Sequence, residues 1–266
     1  GEEIKFKCSE KITAVQDVVG NSYWVITHFI DKFYAFKISS TGVVSTPTIS
    51  TLTPKISVSG YRRNGIGYLK ASPNGKKLAI VHDQNEIDYG STNEDAGFVY
   101  IYDFDIMTGI VSNPKLVFSD ITPYGVEFSG DSNLLYISYT SFSGISNNHY
   151  RLSQFDLTRN DIQNTQMLIS INDNGVGALQ LGPNNKIYYS GNFSYTLGVI
   201  NNPNVIGTGC NFDIYGQFLA INTTHKMGLP PFITSFFDTY FTAENLCLCS
   251  NTLFTLTAIQ NIKSAN

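Results

Sequence analysis

The side chains able to do chemistry are few and scattered. Four histidines (His28, His82, His149 and His225) are spread over 266 residues, and no two have the His-x-x-x-His spacing that sets a pair of metal ligands on one helix face. His82-Asp83 is the one adjacent pair with acid–base character. It falls at the end of a strand-like run, where such residues also serve as plain hydrogen-bonding groups. His28 sits in the alternating run Tyr23 to Phe29, and a single histidine in such a strand is ordinarily a structural residue. Asp103 and Asp105 flank Phe104 and share a face, a pattern that fits strand termination and capping of a turn at Thr108-Gly109. A hydrolytic carboxylate pair would have to converge from separate elements at a set distance. The loop from Asp83 to Asp95 carries oxygen ligands enough for a calcium ion, but its spacing fits no EF-hand and an acidic hairpin loop is ordinarily a solvated one.

Other reactive patterns are absent. There is no Gly-x-Ser-x-Gly elbow, no Walker loop and no Gly-x-Gly-x-x-Gly, so Ser72 and Ser129 read as turn residues. Cys8, Cys210, Cys247 and Cys249 are too few for a disulfide scaffold, Cys247-Leu248-Cys249 is not a C-x-x-C pair, and the pairing stays open. Asn192-Phe193-Ser194 and Asn222-Thr223-Thr224 match the glycosylation acceptor, which matters only in eukaryotic secretion. The residues therefore predict no catalytic, cofactor-binding or metal-binding set. No Lys/Arg cluster stands out and the net charge is -4, which argues against a nucleic-acid partner. No apolar run approaches the ~18 residues of a membrane span.

The elements that would position these residues repeat. Ala71-Ser72-Pro73-Asn74-Gly75-Lys76-Lys77-Leu78-Ala79-Ile80-Val81 reads as two strands around a tight turn, with Pro73 unable to donate to a ladder and Asn74-Gly75 supplying the positive φ. Val126 to Ile137, around Ser129-Gly130-Asp131, and Leu179 to Tyr189, around Gly182-Pro183-Asn184, are further copies. Val19-Gly20-Asn21-Ser22 marks a degenerate first one. The copies lie about 53 to 57 positions apart, close to one four-stranded propeller blade. Charged residues make up 14%, against about 25% in an average domain, and aromatics 13%, as expected of short strands with uncharged polar loops. The predicted fold is all-β: a β-propeller of four-stranded blades, with about four to five blades in this segment, open to being part of a larger ring. Leu229 to Phe237 is predicted to be the strand that opens a fifth copy.

Five ordered stretches, GYLKASPNGKKLA, YGVEFSGDSNLLY, GALQLGPNNKIYY, LGVINNPNVIGTGCNF and GLPPFITSFF, resemble the propeller-like region of Bacteroidota surface proteins exported by the type IX secretion system, including those with a gliding-motility-associated C-terminal (type B) sorting domain. The resemblance covers about Glu10 to Phe237. It implies a propeller over 1–241, with more blades upstream, and the start of a PKD or immunoglobulin-like domain over 242–266, although Cys249-Ser250-Asn251 departs from the related Gly-Asp-Thr. It further implies an extracellular or outer-membrane surface location, with the secretion machinery and other surface proteins or glycans as partners. The expected function is a non-catalytic module for adhesion, surface assembly or gliding. The alternative is a propeller enzyme or lectin acting on polysaccharide through carboxylates at the axial channel. A WD-type scaffold is disfavoured, because no Trp-Asp dipeptide occurs.

Overall fold

The turn that recurs in the sequence joins the first and second strands of three successive blades. Each copy closes with a backbone bond across the turn, Gly75 N–H to Ser72 O at 2.8 Å, Ser132 N–H to Ser129 O at 2.9 Å and Asn185 N–H to Gly182 O at 3.0 Å. The closing residue has positive φ each time, 71° at Gly75, 65° at Ser132 and 57° at Asn185. In the first two copies the serine hydroxyl accepts the N–H that opens the next strand, Lys77 at 3.0 Å and Leu134 at 2.8 Å. Gly182 replaces that serine in the third.

The computed structural model describes residues 9–17, 21–56, 65–84, 96–141, 149–172, 175–191, 195–234, 240–244 and 253–257. Blade 1 consists of β1 (Ile12–Gln16), β2 (Ser22–Phe29), β3 (Lys32–Ser39), a two-residue β4 (Gly42–Val43) and β5 (Thr48–Thr51), with β5 pairing β3. Blade 2 runs β6 (Leu69–Ala71), β7 (Lys77–Gln84), β8 (Ala96–Asp105) and the first part of β9 (Ile110–Phe128). Blade 3 takes over the end of β9 as its inner strand and continues with β10 (Leu134–Ser141), β11 (His149–Asp156) and β12 (Met167–Asn172). Blade 4 is β13 (Leu179–Leu181), β14 (Ile187–Tyr189), β15 (Thr196–Ile200) and β16 (Phe212–Phe218). Because β9 serves as outer strand of one blade and inner strand of the next, blades 2 and 3 form one seven-stranded sheet; Asp120, at φ 60°, lies where the strand changes blade. A hairpin of β17 (Tyr240–Glu244) and β18 (Leu253–Thr257) follows. Among the described residues there is no α-helix, and none long and apolar enough to cross a membrane.

Alternation of side chains along each second strand builds the core. Leu78 and Ile80 pack with Val15, Trp24 and Ile26 of blade 1, while Ala79 and Val81 face Val126, Leu135 and Ile137 of blade 3. Leu134 and Tyr136 turn the other way, onto Leu179, Ile187 and Tyr189 of blade 4. Leu78/Ile80, Leu135/Ile137 and Ile187/Tyr189 thus occupy equivalent strands and face the preceding blade, as the repeat predicts. Trp24 locks blade 1 to blade 2. Its indole N–H donates to Ile106 O at 2.8 Å, and its ring lies where a Cβ on Gly109 would be, 2.7 Å away.

The predicted strand at Leu229 to Phe237 is a correction. Its described part, 229–234, is not a strand: Pro230-Pro231 brings no N–H to a ladder. Instead the segment binds the inner end of blade 2, with Leu229 N–H donating to Tyr68 Oη at 3.1 Å and Thr234 Oγ1 to Ala71 O at 3.0 Å. Residues 1–8, which could pair with this segment if the ring closed on itself, lie outside the described residues, as does most of the first turn at Val19-Gly20.

Candidate active site at the upper mouth

The inner strands β1, β6, the end of β9 and β13 place Thr13, Lys70, Glu127 and Gln180 along the axis. Lys70 Nζ donates to Glu127 Oε2 at 3.1 Å and to Gln180 Oε1 at 2.6 Å, so one ammonium ties three blades. Glu127 Oε2 also accepts Leu181 N–H at 3.0 Å, its Oε1 accepts Phe128 N–H at 3.0 Å, and Gln180 Nε2 donates to Leu181 O at 2.9 Å. Thr13 Oγ1 accepts Ala71 N–H at 3.2 Å. Every group is satisfied. The axial carboxylate is a structural tie, with no second carboxylate beside it among these residues.

Chemistry is concentrated at the end where inner strands begin and second strands finish, here called the upper mouth. Lys11 immediately precedes β1, is buried, and donates its ammonium to Ile66 O at 2.9 Å. Burial lowers its pKa to about 7, an effect opposed by the charges of Glu10 and Asp83. His28, near the end of β2, and His82, near the end of β7, meet across the blade 1–blade 2 interface with ring centroids 5.3 Å apart. His28 also packs on Phe33 at 4.7 Å and His82 on Phe98 at 5.1 Å. Burial, then Lys11, lowers the pKa of His28 to about 3; burial, then Lys11 and His28, hold His82 well below its ordinary value. His82 is fully buried, and neither Nδ1 nor Nε2 has a hydrogen-bond partner. Tyr68 and Tyr124 pack edge to face at 5.5 Å on the same mouth. Burial raises both phenols, which therefore stay protonated at neutral pH.

The arrangement revises the adjacent pair His82-Asp83. Consecutive strand residues point to opposite sides, so His82 turns to blade 1 and His28, while Asp83 acts through space on Lys11. The other candidates are structural. His225 is held between Thr196 O at 2.9 Å and Lys226 O at 3.0 Å. Asp103 pairs with Lys77 at 3.0 Å and Asn113 at 2.7 Å. Asp105 accepts from Met107 N–H at 2.9 Å and Thr108 Oγ1 at 2.7 Å, capping the turn. Cys210 is a free thiol in the blade 3–blade 4 core. The side chain of His149, residues 85–95 of the acidic loop, Cys8, Cys247, Cys249 and Asn192 lie outside the described residues. Lys11 was invisible in the sequence: a lysine before a strand carries no signal, and its burial comes from tertiary packing.

No protein-family model matches the chain, and no curated protein matches it. Among solved structures it is similar to a puromycin-hydrolysing peptidase of Mycobacterium tuberculosis (14% identity, 86% of this chain and 34% of that one, TM-score 0.49). It is similar also to a putative 6-phosphogluconolactonase of Bacteroides uniformis (14% identity, 81% and 55%, TM-score 0.43) and to a periplasmic gluconolactonase of Pseudomonas aeruginosa (12% identity, 71% and 48%, TM-score 0.38). The chain spans from about a third to just over half the length of these structures. At such identities the likeness speaks to fold, which is the propeller type expected. The expectation of a non-catalytic module for adhesion or gliding is corrected: the solved structures of similar fold are described as a peptidase, a putative 6-phosphogluconolactonase and a gluconolactonase.

Proposed function

We propose that the chain is the propeller part of a hydrolase, acting at the upper mouth on a carbohydrate-derived ester or lactone. The observation that carries this reading is His82, a fully buried imidazole with both ring nitrogens unpartnered. Leaving two polar atoms dry is costly unless something from outside supplies the missing bonds. A substrate oxygen and an attacking water would do so. In this reading Lys11, its pKa lowered to about 7, takes a proton from the water that attacks the carbonyl carbon and returns it to the alkoxide as the C–O bond breaks, while the neutral His82 N–H donates to the carbonyl oxygen as it gains charge. The protonated phenols of Tyr68 and Tyr124 offer further donors and two aromatic faces for the sugar ring. Ester or lactone hydrolysis is preferred to glycoside hydrolysis because the axial carboxylate Glu127 is saturated and lacks the second carboxylate such a mechanism needs. The extracellular setting implied by the resemblance remains part of the proposal.

The test is a panel of sugar lactones, acetylated sugars and p-nitrophenyl glycosides incubated with the purified protein and its His82→Gln variant. Lactone or ester turnover lost in the variant, with unchanged circular dichroism, is the expected result. Glycoside turnover alone, no turnover on any substrate, or full activity in the variant would reject the reading.

A further inference from the structure

The first and last blades carry the two halves of an interface that the chain already builds three times. One backbone bond across each turn sets the second strands in a common frame: Asp17 N–H to Ser22 O at 3.0 Å, Ser72 N–H to Lys77 O at 2.9 Å, Ser129 N–H to Leu134 O at 2.9 Å and Gly182 N–H to Lys186 O at 2.8 Å. In that frame Val25 stands where Ile80, Ile137 and Tyr189 stand, and each of those three faces the preceding blade. Tyr188 stands where Trp24, Ala79 and Tyr136 stand, and each of those faces the following blade. Val25 is in the first blade and Tyr188 in the last, and neither belongs to a packed core among the described residues.

The Val25 side of blade 1 is broad and apolar. The ladders align Ile12, Tyr34 and Ile49 in one row and Val25 and Phe36 in the next, all on the side away from blade 2, onto which Trp24, Ile26, Phe33 and Ala35 turn. Ile12 and Ile49, at the two edges, are each 52% exposed. At the axial edge Ile12 and Val25 share a small cavity with Pro231 and Phe232. An exposed apolar sheet face of this width marks an interaction surface. Blade 4 repeats the pattern more narrowly, with Tyr188 opposite Val199 on the side away from blade 3.

We propose that a second copy of this chain covers the Val25 face of blade 1 with the Tyr188 face of its blade 4, head to tail. The matching half is present in the chain itself, at the repeat position that fills this place at all three internal interfaces. A head-to-tail contact either closes or propagates. Two copies about a common axis satisfy both faces of both chains, in a ring of four blades from each, at the upper end of the roughly four to eight that propellers use. The contact lies on the far side of blade 1 from His28 and His82, and it does not require the hydrolase reading. Sedimentation velocity and light scattering over a concentration series test it. The wild type is expected to be a dimer, Ile49→Glu and Tyr188→Glu are each expected to weaken it at least tenfold with unchanged circular dichroism, and Met107→Glu, at a 72% exposed turn position in blade 2, should leave it intact. Mixing the two face variants should recover dimer, because one interface between them is then unaltered on both sides. A monomer at every concentration, an assembly larger than a dimer, a dimer undiminished in both face variants, or a mixture that recovers nothing would overturn the proposal. Should Tyr188→Glu misfold, the wild type and Ile49→Glu decide by themselves. The readout is mass, not turnover, so this proposal and the hydrolase reading fail separately.

Discussion

Burial without a partner separates His82 from the other described histidines, and it has a consequence for stability. His28, with its pKa at about 3, and His82, also lowered, bind fewer protons folded than unfolded below the ordinary value of 6.5. The unfolded chain takes up the extra protons, so stability rises with pH from about 3 to 6.5 and is lost as pH falls through that window. Urea midpoints at pH 4 and pH 7 should differ for this reason, and the difference should shrink in a His28→Phe/His82→Phe variant. An unchanged pH difference there would contradict the assignment. At Gly75 the reasoning is steric. Its φ is 71°, and a Cβ would stand 3.0 Å from Val15 Cγ2 and 3.1 Å from Ile106 Cγ2. Gly75→Ala should cost about 1–2 kcal/mol from the left-handed backbone alone, read as a lower urea midpoint. That glycine was legible as a turn residue, because Asn-Gly between apolar runs has few other uses. The contact of His82 with His28 was not, since it crosses from one blade to the next.

The elements owe their arrangement to alternation, and most of this could be read in advance. Leu78, Leu135 and Ile187 recur at one repeat position and all face the preceding blade. Ile80→Ala should cost about 2–5 kcal/mol as a core truncation, whereas Ile171→Ala, at a position 52% exposed, should change stability by no more than about 0.5 kcal/mol. What sequence could not supply was the axial tie. Lys70, Glu127 and Gln180 sit at matching positions of three inner strands, but one lysine, one glutamate and one glutamine share no pattern until the ring brings them together. Breaking this buried pair from one side, as in Glu127→Gln, should cost about 3–5 kcal/mol. The double variant Lys70→Met/Glu127→Gln should recover part of the loss, and strictly additive effects in chemical denaturation would argue against the tie. The prolines at Pro230-Pro231 explain the missed element: an apolar run reads as a strand, but two residues without N–H cannot join a ladder.

Across the described residues, the unpartnered imidazole of His82, the buried Lys11 side chain and the Tyr68–Tyr124 pair lie at the same end of the sheets. The histidines meet between blades 1 and 2, while the turns at the opposite end close on their own backbone hydrogen bonds. In the proposed reading the upper mouth, where second strands end, is the working face, and the end closed by the tight turns is structural. The pH dependence of kcat/KM for the lactone or ester turned over most efficiently tests this most directly. The prediction is a single rise with pH through about 7, as Lys11 loses its proton, with no inflection near 6.5 from an ordinary imidazole and with the rise abolished in Lys11→Met. A limb at 6.5 that survives in Lys11→Met, or a rate independent of pH from 5 to 9, would contradict the placement of the active site at the upper mouth.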